Sequence, residues 1–186
     1  MRLFYAVNIP AETRRAIWSC ADPLRLEAYP IRWTRPESLH VTLKFLGDVP
    51  DDLERALIAA ADRAVAGTEP FVLSIDSVGT FPKSNRVRVV WAGCSPVAQL
   101  ETMQRRLEQQ TEALGFPTEA RTFRPHITLG RAKSGAKKTQ LSGVGKQLES
   151  VHLSVEFTVE SLDLMESKLG ASGARYSERY SARLTG

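Results

Sequence analysis

Two of the three histidines in this chain have the clearest chemical potential, because each opens the same kind of tetrapeptide. One is His40-Val41-Thr42-Leu43 and the other is His126-Ile127-Thr128-Leu129. At the Thr and apolar frequencies of this chain, two such matches among three histidines arise by chance on the order of a few times in ten thousand. The starts lie 86 residues apart in a chain of 186, which points to internal duplication of a β-α-β-type unit. The flanks echo one another as well, SLHVTLKFLG against RPHITLGRAK.

Both motifs read as strands. With a side-chain period of two, His40 and Thr42 leave one face and Val41 and Leu43 the other. The same holds for His126 and Thr128 against Ile127 and Leu129. Each motif can therefore bury an apolar pair and present an imidazole and a hydroxyl to a cleft. If a pseudo-twofold relates the strands, the two His-Thr pairs face each other. Such a site suits the opening of a cyclic phosphate. One imidazole takes a proton from the attacking water, and the other protonates the departing ribose oxygen. Histidine titrates near neutral pH and can fill either role. The threonine hydroxyls can donate to the non-bridging phosphate oxygens, where charge grows in the transition state.

Neighbouring residues are assigned by parity. Arg124 falls on the face of His126 and Arg131 on the opposite one, so Arg131 reaches phosphate only if the strand ends or bends at Gly130. Phe45 points away from His40 by the same rule, which favours a core role over stacking on a base. His152 is followed by Leu153-Ser154, lacks the motif and reads as structural. Zinc spacings are absent, and a site built from the two histidines with Asp163 or Glu166 is disfavoured, so no metal or cofactor is expected. Gly143-Val144-Gly145-Lys146 lacks the remaining positions of a phosphate-binding loop.

The elements that must position these residues alternate along the chain. A first strand is expected where Leu3, Tyr5 and Val7 alternate with other residues, closed by Pro10, and further strands over 31–34, 38–46, 70–80, 86–92, 123–131, 151–158, 160–168 and 174–183. Helices are expected over 11–22, ended by Pro23, and over 50–65, where Leu53, Leu57, Ala60 and Ala64 share a face. Another is expected after Ser95 as its cap, with Leu100, Met103, Leu107 and Leu114 inward and Gly115 as its stop. A turn is expected at Pro82-Lys83-Ser84-Asn85. The basic stretch 133–147, with Lys133, Lys137, Lys138 and Lys146, reads as a loop with one helical turn at most. Recurring hairpin-like pairs give an α+β class with largely antiparallel sheets.

The composition is that of an ordinary globular chain, 42% apolar and 25% charged. A net charge of +4 and a pI near 9.3 suit an anionic partner. Cys20 and Cys94 lie far apart, so a reduced, cytoplasmic setting is expected. No window approaches the ~20 apolar residues of a membrane span, and the opening MRLFYAVNIPAE does not read as a signal peptide.

The motifs resemble those of the 2H phosphoesterases, named for two HxTx motifs, and most of all the RNA 2′,3′-cyclic phosphodiesterases also known as 2′-5′ RNA ligases. RLFYAVNIP is similar to their opening strand, and RWTRPESLHVTLKFLGDV to their first motif with its lead-in. FRPHITLGRAK is similar to the second motif, and LMESKLGASGARYSERYSARL to the closing hairpin. The resemblance implies one domain over residues 1–186. It would be bilobed and pseudo-twofold, with two largely antiparallel sheets around a central cleft and helices outside. It implies hydrolysis of an RNA 2′,3′-cyclic phosphate to a 2′-phosphomonoester, and ligation in reverse. His40 is then the proton donor, His126 the proton acceptor, and Thr42 and Thr128 bind phosphate. Expected partners are RNA with cyclic phosphate ends or a small nucleotide, with no obligate protein partner. Two other readings stand beside this one. The same cleft can serve small cyclic nucleotides, ADP-ribose cyclic phosphate or 2′-5′ oligoadenylate. A non-catalytic binder of RNA ends would have no use for the paired histidines.

Overall fold

A computed structural model describes residues 1–82, 86–170 and 173–186. Among these residues, nine strands form one hydrogen-bonded sheet. They are β1 (Arg2–Asn8), β2 (Ile31–Trp33), β3 (His40–Asp48), β4 (Phe71–Phe81), β5 (Val89–Cys94), β6 (His126–Ala132), β7 (Val155–Val159), β8 (Ser161–Gly170) and β9 (Gly173–Arg183). Five helices accompany them among the described residues: α1 (Ala11–Cys20), α2 (Asp22–Leu26), α3 (Glu54–Val65), α4 (Ala98–Glu112) and α5 (Val144–Leu148).

The strand order is β7-β4-β5-β6-β3-β1-β8-β9, with β2 paired beside β6, and the pairings are antiparallel throughout. The order reads as two halves of four strands. Each half begins at a motif strand, β3 or β6, and continues outward. The two expected sheets are thus joined into one, and the joint is narrow: between β3 and β6 the paired residues are Val41 and Ile127. The halves exchange strands. β4 follows β3 and α3 in sequence but pairs with β5 and β7, whereas β8 and β9 extend the sheet from β1. Helices cross over too, since α1 touches β7 and α4 touches β3.

One face of the sheet carries the main core. Tyr5, Val41, Leu73, Val90, Ile127 and Leu164 project there and meet Ile17, Leu57, Met103 and Leu107 from the helices. The other face carries a small second cluster of Phe4, Ala6 and Met165, with Tyr176 against it. That cluster explains a departure from the alternation in Leu3, Tyr5 and Val7. β1 is a central strand buried on both faces, so Phe4 and Ala6 are buried as well.

Other departures are local. The first helix is interrupted as Pro23 requires, but Pro23 then sits in the first turn of α2. Ser95 does not cap α4, whose N-cap is Val97; its hydroxyl bonds Asp76 instead. Gly115 does end the helix, at φ +91°. The stretch 133–147 is more ordered than a loop, with a 3-10 turn over Lys138–Leu141 and then α5. Leu141, Val144 and Leu148 are buried there. Gly143 to Lys146 therefore belongs to a packed helix. The expected turn at 82–85 falls largely outside the described residues.

Candidate active site

β3 and β6 meet at the middle of the sheet, and their register builds the site. Val41 lies opposite Ile127, with both side chains in the core. Antiparallel continuation brings His40 level with Thr128, and Thr42 level with His126. All four side chains leave the other face, and all four are half-buried. The histidines and threonines of the two motifs thus form one compact group on the face opposite the helices.

Each imidazole is held in the same way. His40 Nδ1 lies 2.8 Å from the carbonyl of Ser38, and His126 Nδ1 lies 2.7 Å from the carbonyl of Arg124. A carbonyl only accepts, so Nδ1 carries the hydrogen in both rings and Nε2 is the atom left for the cleft. Aromatic neighbours fix the ring planes. Phe4 lies 4.9 Å from His40, Tyr176 meets His40 edge-on at 5.0 Å, and Phe81 meets His126 edge-on at 5.2 Å.

Burial pushes the pKa of His40 below its ordinary value. The Ser38 carbonyl works against that shift, and the positive charges of Arg131 and His126 add to it. Arg131 stands on the cleft face, contrary to strand parity. A β-bulge is the reason. β6 pairs Thr128 with Trp91 and Gly130 with Val90, so Leu129 has no partner. The extra residue buries Leu129 and Gly130 in succession and returns Arg131 to the face of His126 and Thr128. β3 does the same. Thr42 pairs with Ala6 and Lys44 with Tyr5, which skips Leu43. Leu43 and Lys44 are buried in succession, and Phe45 emerges on the cleft face, 67% exposed and 5.8 Å from Phe4. The core role expected of Phe45 is therefore wrong. Phe45 and Arg131 occupy equivalent positions, each five residues beyond its histidine.

The bulge at Leu43 also turns Lys44 into the core. Its ammonium donates to Glu108 Oε2 at 2.5 Å and to the Pro117 carbonyl at 2.9 Å. The contact ties β3 to α4 and to the segment after it, a tie that parity does not reveal.

Arg124 stands in the loop before β6, where strand parity does not apply. Its carbonyl orients His126, and its side chain lines a cavity of about 280 Å³ beside His126. Phe81, Trp91 and Phe123 form the apolar wall of that cavity, and the Trp91 indole N–H is buried without a partner among the described residues. His152 is exposed before the outer strand β7, three strands from β6. Asp163 lies on the cleft side but is committed to Asn8 and Ser181, at 2.8 and 2.6 Å. Glu166 is buried beside Lys168 and Arg179. Among the described residues no three His, Cys, Asp or Glu side chains are grouped to hold a metal ion. No helix there is long and apolar enough to cross a membrane.

Comparisons with known proteins agree with this geometry. The family model of the 2′-5′ RNA ligase superfamily matches residues 13–171. The RNA 2′,3′-cyclic phosphodiesterase of Methanothermobacter thermautotrophicus is 31% identical over 184 residues, which covers 99% of each chain. The crystal structure of Escherichia coli LigT complexed with 3′-AMP superposes with a TM-score of 0.78 at 28% identity, covering all of this chain and 98% of that one. A Thermus thermophilus crystal structure superposes with a TM-score of 0.80 at 28% identity, covering 99% of this chain and 98% of that one. By its paired motifs, its sheet and these matches, the chain belongs to the 2′-5′ RNA ligase superfamily.

Proposed function

We propose that this protein hydrolyses the 2′,3′-cyclic phosphate at an RNA end to a 2′-phosphomonoester and a free 3′-hydroxyl, without a metal ion. The observation that carries the reading is the matched pair of imidazoles. Both are anchored through Nδ1 to a carbonyl two residues upstream, and both leave Nε2 to one cleft.

His126 Nε2 accepts a proton from water as the water oxygen bonds to phosphorus. The P–O3′ bond breaks, and His40 Nε2 delivers its proton to the departing O3′. The proton lost from water and the proton gained by O3′ balance, and solvent exchange restores the two rings. The fixed Nδ1–H hydrogens keep both reacting nitrogens on the phosphate side. Thr42 and Thr128 donate to the non-bridging oxygens, and Arg131 supplies positive charge to the same group. Arg124 acts through its carbonyl on His126 and contributes its side chain to the adjoining cavity. Phe45, exposed beside Phe4, offers a face on which a base can stack. With a 5′-hydroxyl in place of water as the nucleophile, the same opening of the cyclic phosphate, with O3′ leaving and protonated by His40, gives the 2′-5′ phosphodiester of the ligation named in the superfamily.

The test is a panel of 2′,3′-cyclic phosphates, from mononucleotides to short RNAs and ADP-ribose cyclic phosphate, with phosphorus NMR of the products. The reading expects 2′-phosphomonoesters. Release of 3′-phosphomonoesters reverses the assignment of the leaving oxygen, and tight binding without turnover at any pH leaves a binder of RNA ends.

A further inference from the structure

The row of side chains that includes Arg131 continues one strand further. β2 pairs with β6 so that Arg32 lies directly opposite Arg131, between the pairs Ile31–Ala132 and Trp33–Gly130. Ile31 and Trp33 pack on the main core, so Arg32 leaves the other face, with Arg131. On the opposite side of β6, Arg131 is level with Val89 of β5. Two arginines thus stand side by side across an antiparallel ladder, both exposed. Among the described residues neither forms an ion pair with a carboxylate. Like charges directly opposite each other oppose strand pairing. Their placement gains nothing for strand pairing and suits an anion bound across both. The placement has a direction as well, since the phosphate site proposed at His126 and Thr128 leads along β6 to Arg131, and Arg32 lies directly across from Arg131, one strand spacing of about 5 Å to the side.

We infer that Arg32 forms a second phosphate subsite, which holds the phosphodiester on the 5′ side of the terminal nucleotide while Arg131 serves the cyclic phosphate. The inference rests on the cyclic phosphodiesterase reading above and adds a substrate preference to it. A chain end presents two anions in succession, whereas a nucleoside 2′,3′-cyclic phosphate with a 5′-hydroxyl presents one. The site therefore favours ends of RNA chains over free cyclic mononucleotides, and Arg32 acts as a positioning residue remote from the bonds that change.

The test compares wild-type protein and Arg32→Ala on three substrates with one terminal base. They are a nucleoside 2′,3′-cyclic phosphate, the same compound bearing a 5′-phosphate, and a short oligoribonucleotide ending in it. The variant should raise KM for the oligoribonucleotide roughly three- to tenfold, with kcat unchanged and with no change on the plain cyclic nucleotide. The slope of log KM against log salt for the oligoribonucleotide should become shallower by about 0.7, the share of one phosphate contact on a single strand. Arg32→Lys should restore part of the loss, and Arg32→Glu should deepen it. The 5′-phosphorylated compound shows whether the subsite takes any neighbouring phosphate, when its KM moves with that of the oligoribonucleotide, or a chain phosphodiester alone, when it does not. Equal changes on the oligoribonucleotide and the plain nucleotide, or none on either, overturn the subsite. Absence of wild-type turnover on all three overturns the hydrolase reading, and the subsite with it.

Discussion

Val41 of β3 lies opposite Ile127 of β6, and this pair joins the two halves of the sheet beneath the paired histidines. Both side chains are fully buried in the main core. The spacing of the two imidazoles is therefore set from the opposite face of the sheet, by packing that touches no substrate. Ile127→Ala should cost about 2–5 kcal/mol of stability, the usual range for emptying such a site. At a temperature where the variant is still folded, kcat should fall more than KM rises, because the acid and base lose their relative placement. Urea unfolding and steady-state kinetics on one preparation check this, and a variant with lost stability but wild-type kcat refutes the coupling.

Removal of either imidazole should be severe and local. His40→Ala and His126→Ala should each lower turnover of a cyclic-ended RNA by roughly 10²–10⁴-fold, with an unchanged circular dichroism spectrum. Wild-type protein should work at full rate in excess EDTA. A chelator-sensitive rate restored by zinc counts against the two-histidine mechanism.

The pH dependence of kcat/KM follows from the surroundings of His40. As proton donor, His40 must be charged in the free enzyme, so activity falls as pH rises through its pKa. Burial, with the charges of Arg131 and His126, holds that pKa below its ordinary value. The alkaline limb should therefore lie below the usual histidine value of about 6.5. Arg131→Ala removes one of the charges that depress it, so the limb should move to higher pH even as the maximal rate drops. A limb that stays in place shows that His40 is not the group titrating.

Lys44 makes a prediction about stability alone. Its largely buried ammonium pairs with the half-buried Glu108 and also reaches the Pro117 carbonyl. Lys44→Ala leaves the half-buried Glu108 carboxylate without its cation though still bonded by Gln104 and Glu119, and should cost about 1–3 kcal/mol in urea unfolding. The double variant Lys44→Met with Glu108→Leu should recover much of that loss, because it removes both charges and keeps apolar volume. Additive losses in the double variant indicate that the pair is not coupled.

The alternation of His40 with Thr42, and of His126 with Thr128, was legible because it spans three residues of regular strand. Just beyond, Leu43 and Leu129 each sit in a bulge. A bulge is a property of two strands in register, and one strand's sequence marks it at most indirectly. Parity therefore failed for Phe45 and Arg131 together, and for one reason, which also turns Lys44 inward. Gly130 offered the available signal, since a Cβ there would press on Ile31 and Trp33 of β2. Arg124 does lie on the side of His126, with which it lines one cavity, but not by strand parity, because β6 begins at His126. The second face of β1 was hidden because Phe4 and Ala6 are covered by Met165 and Tyr176, which come from the far end of the chain.

The exchange of strands between the halves bears on how the molecule can be cut. β4 belongs by sequence to the first motif but stands among the strands of the second, and β8 and β9 make the reverse journey. A fragment ending near residue 82 would carry an orphan edge strand and would lack the two strands that cover β1. The complementary fragment from residue 86 would lack the strand between β5 and β7. Neither piece contains a lobe, yet each supplies what the other is missing. Two separately expressed pieces should be unfolded alone and fold when mixed, as circular dichroism of each piece and of the mixture would show.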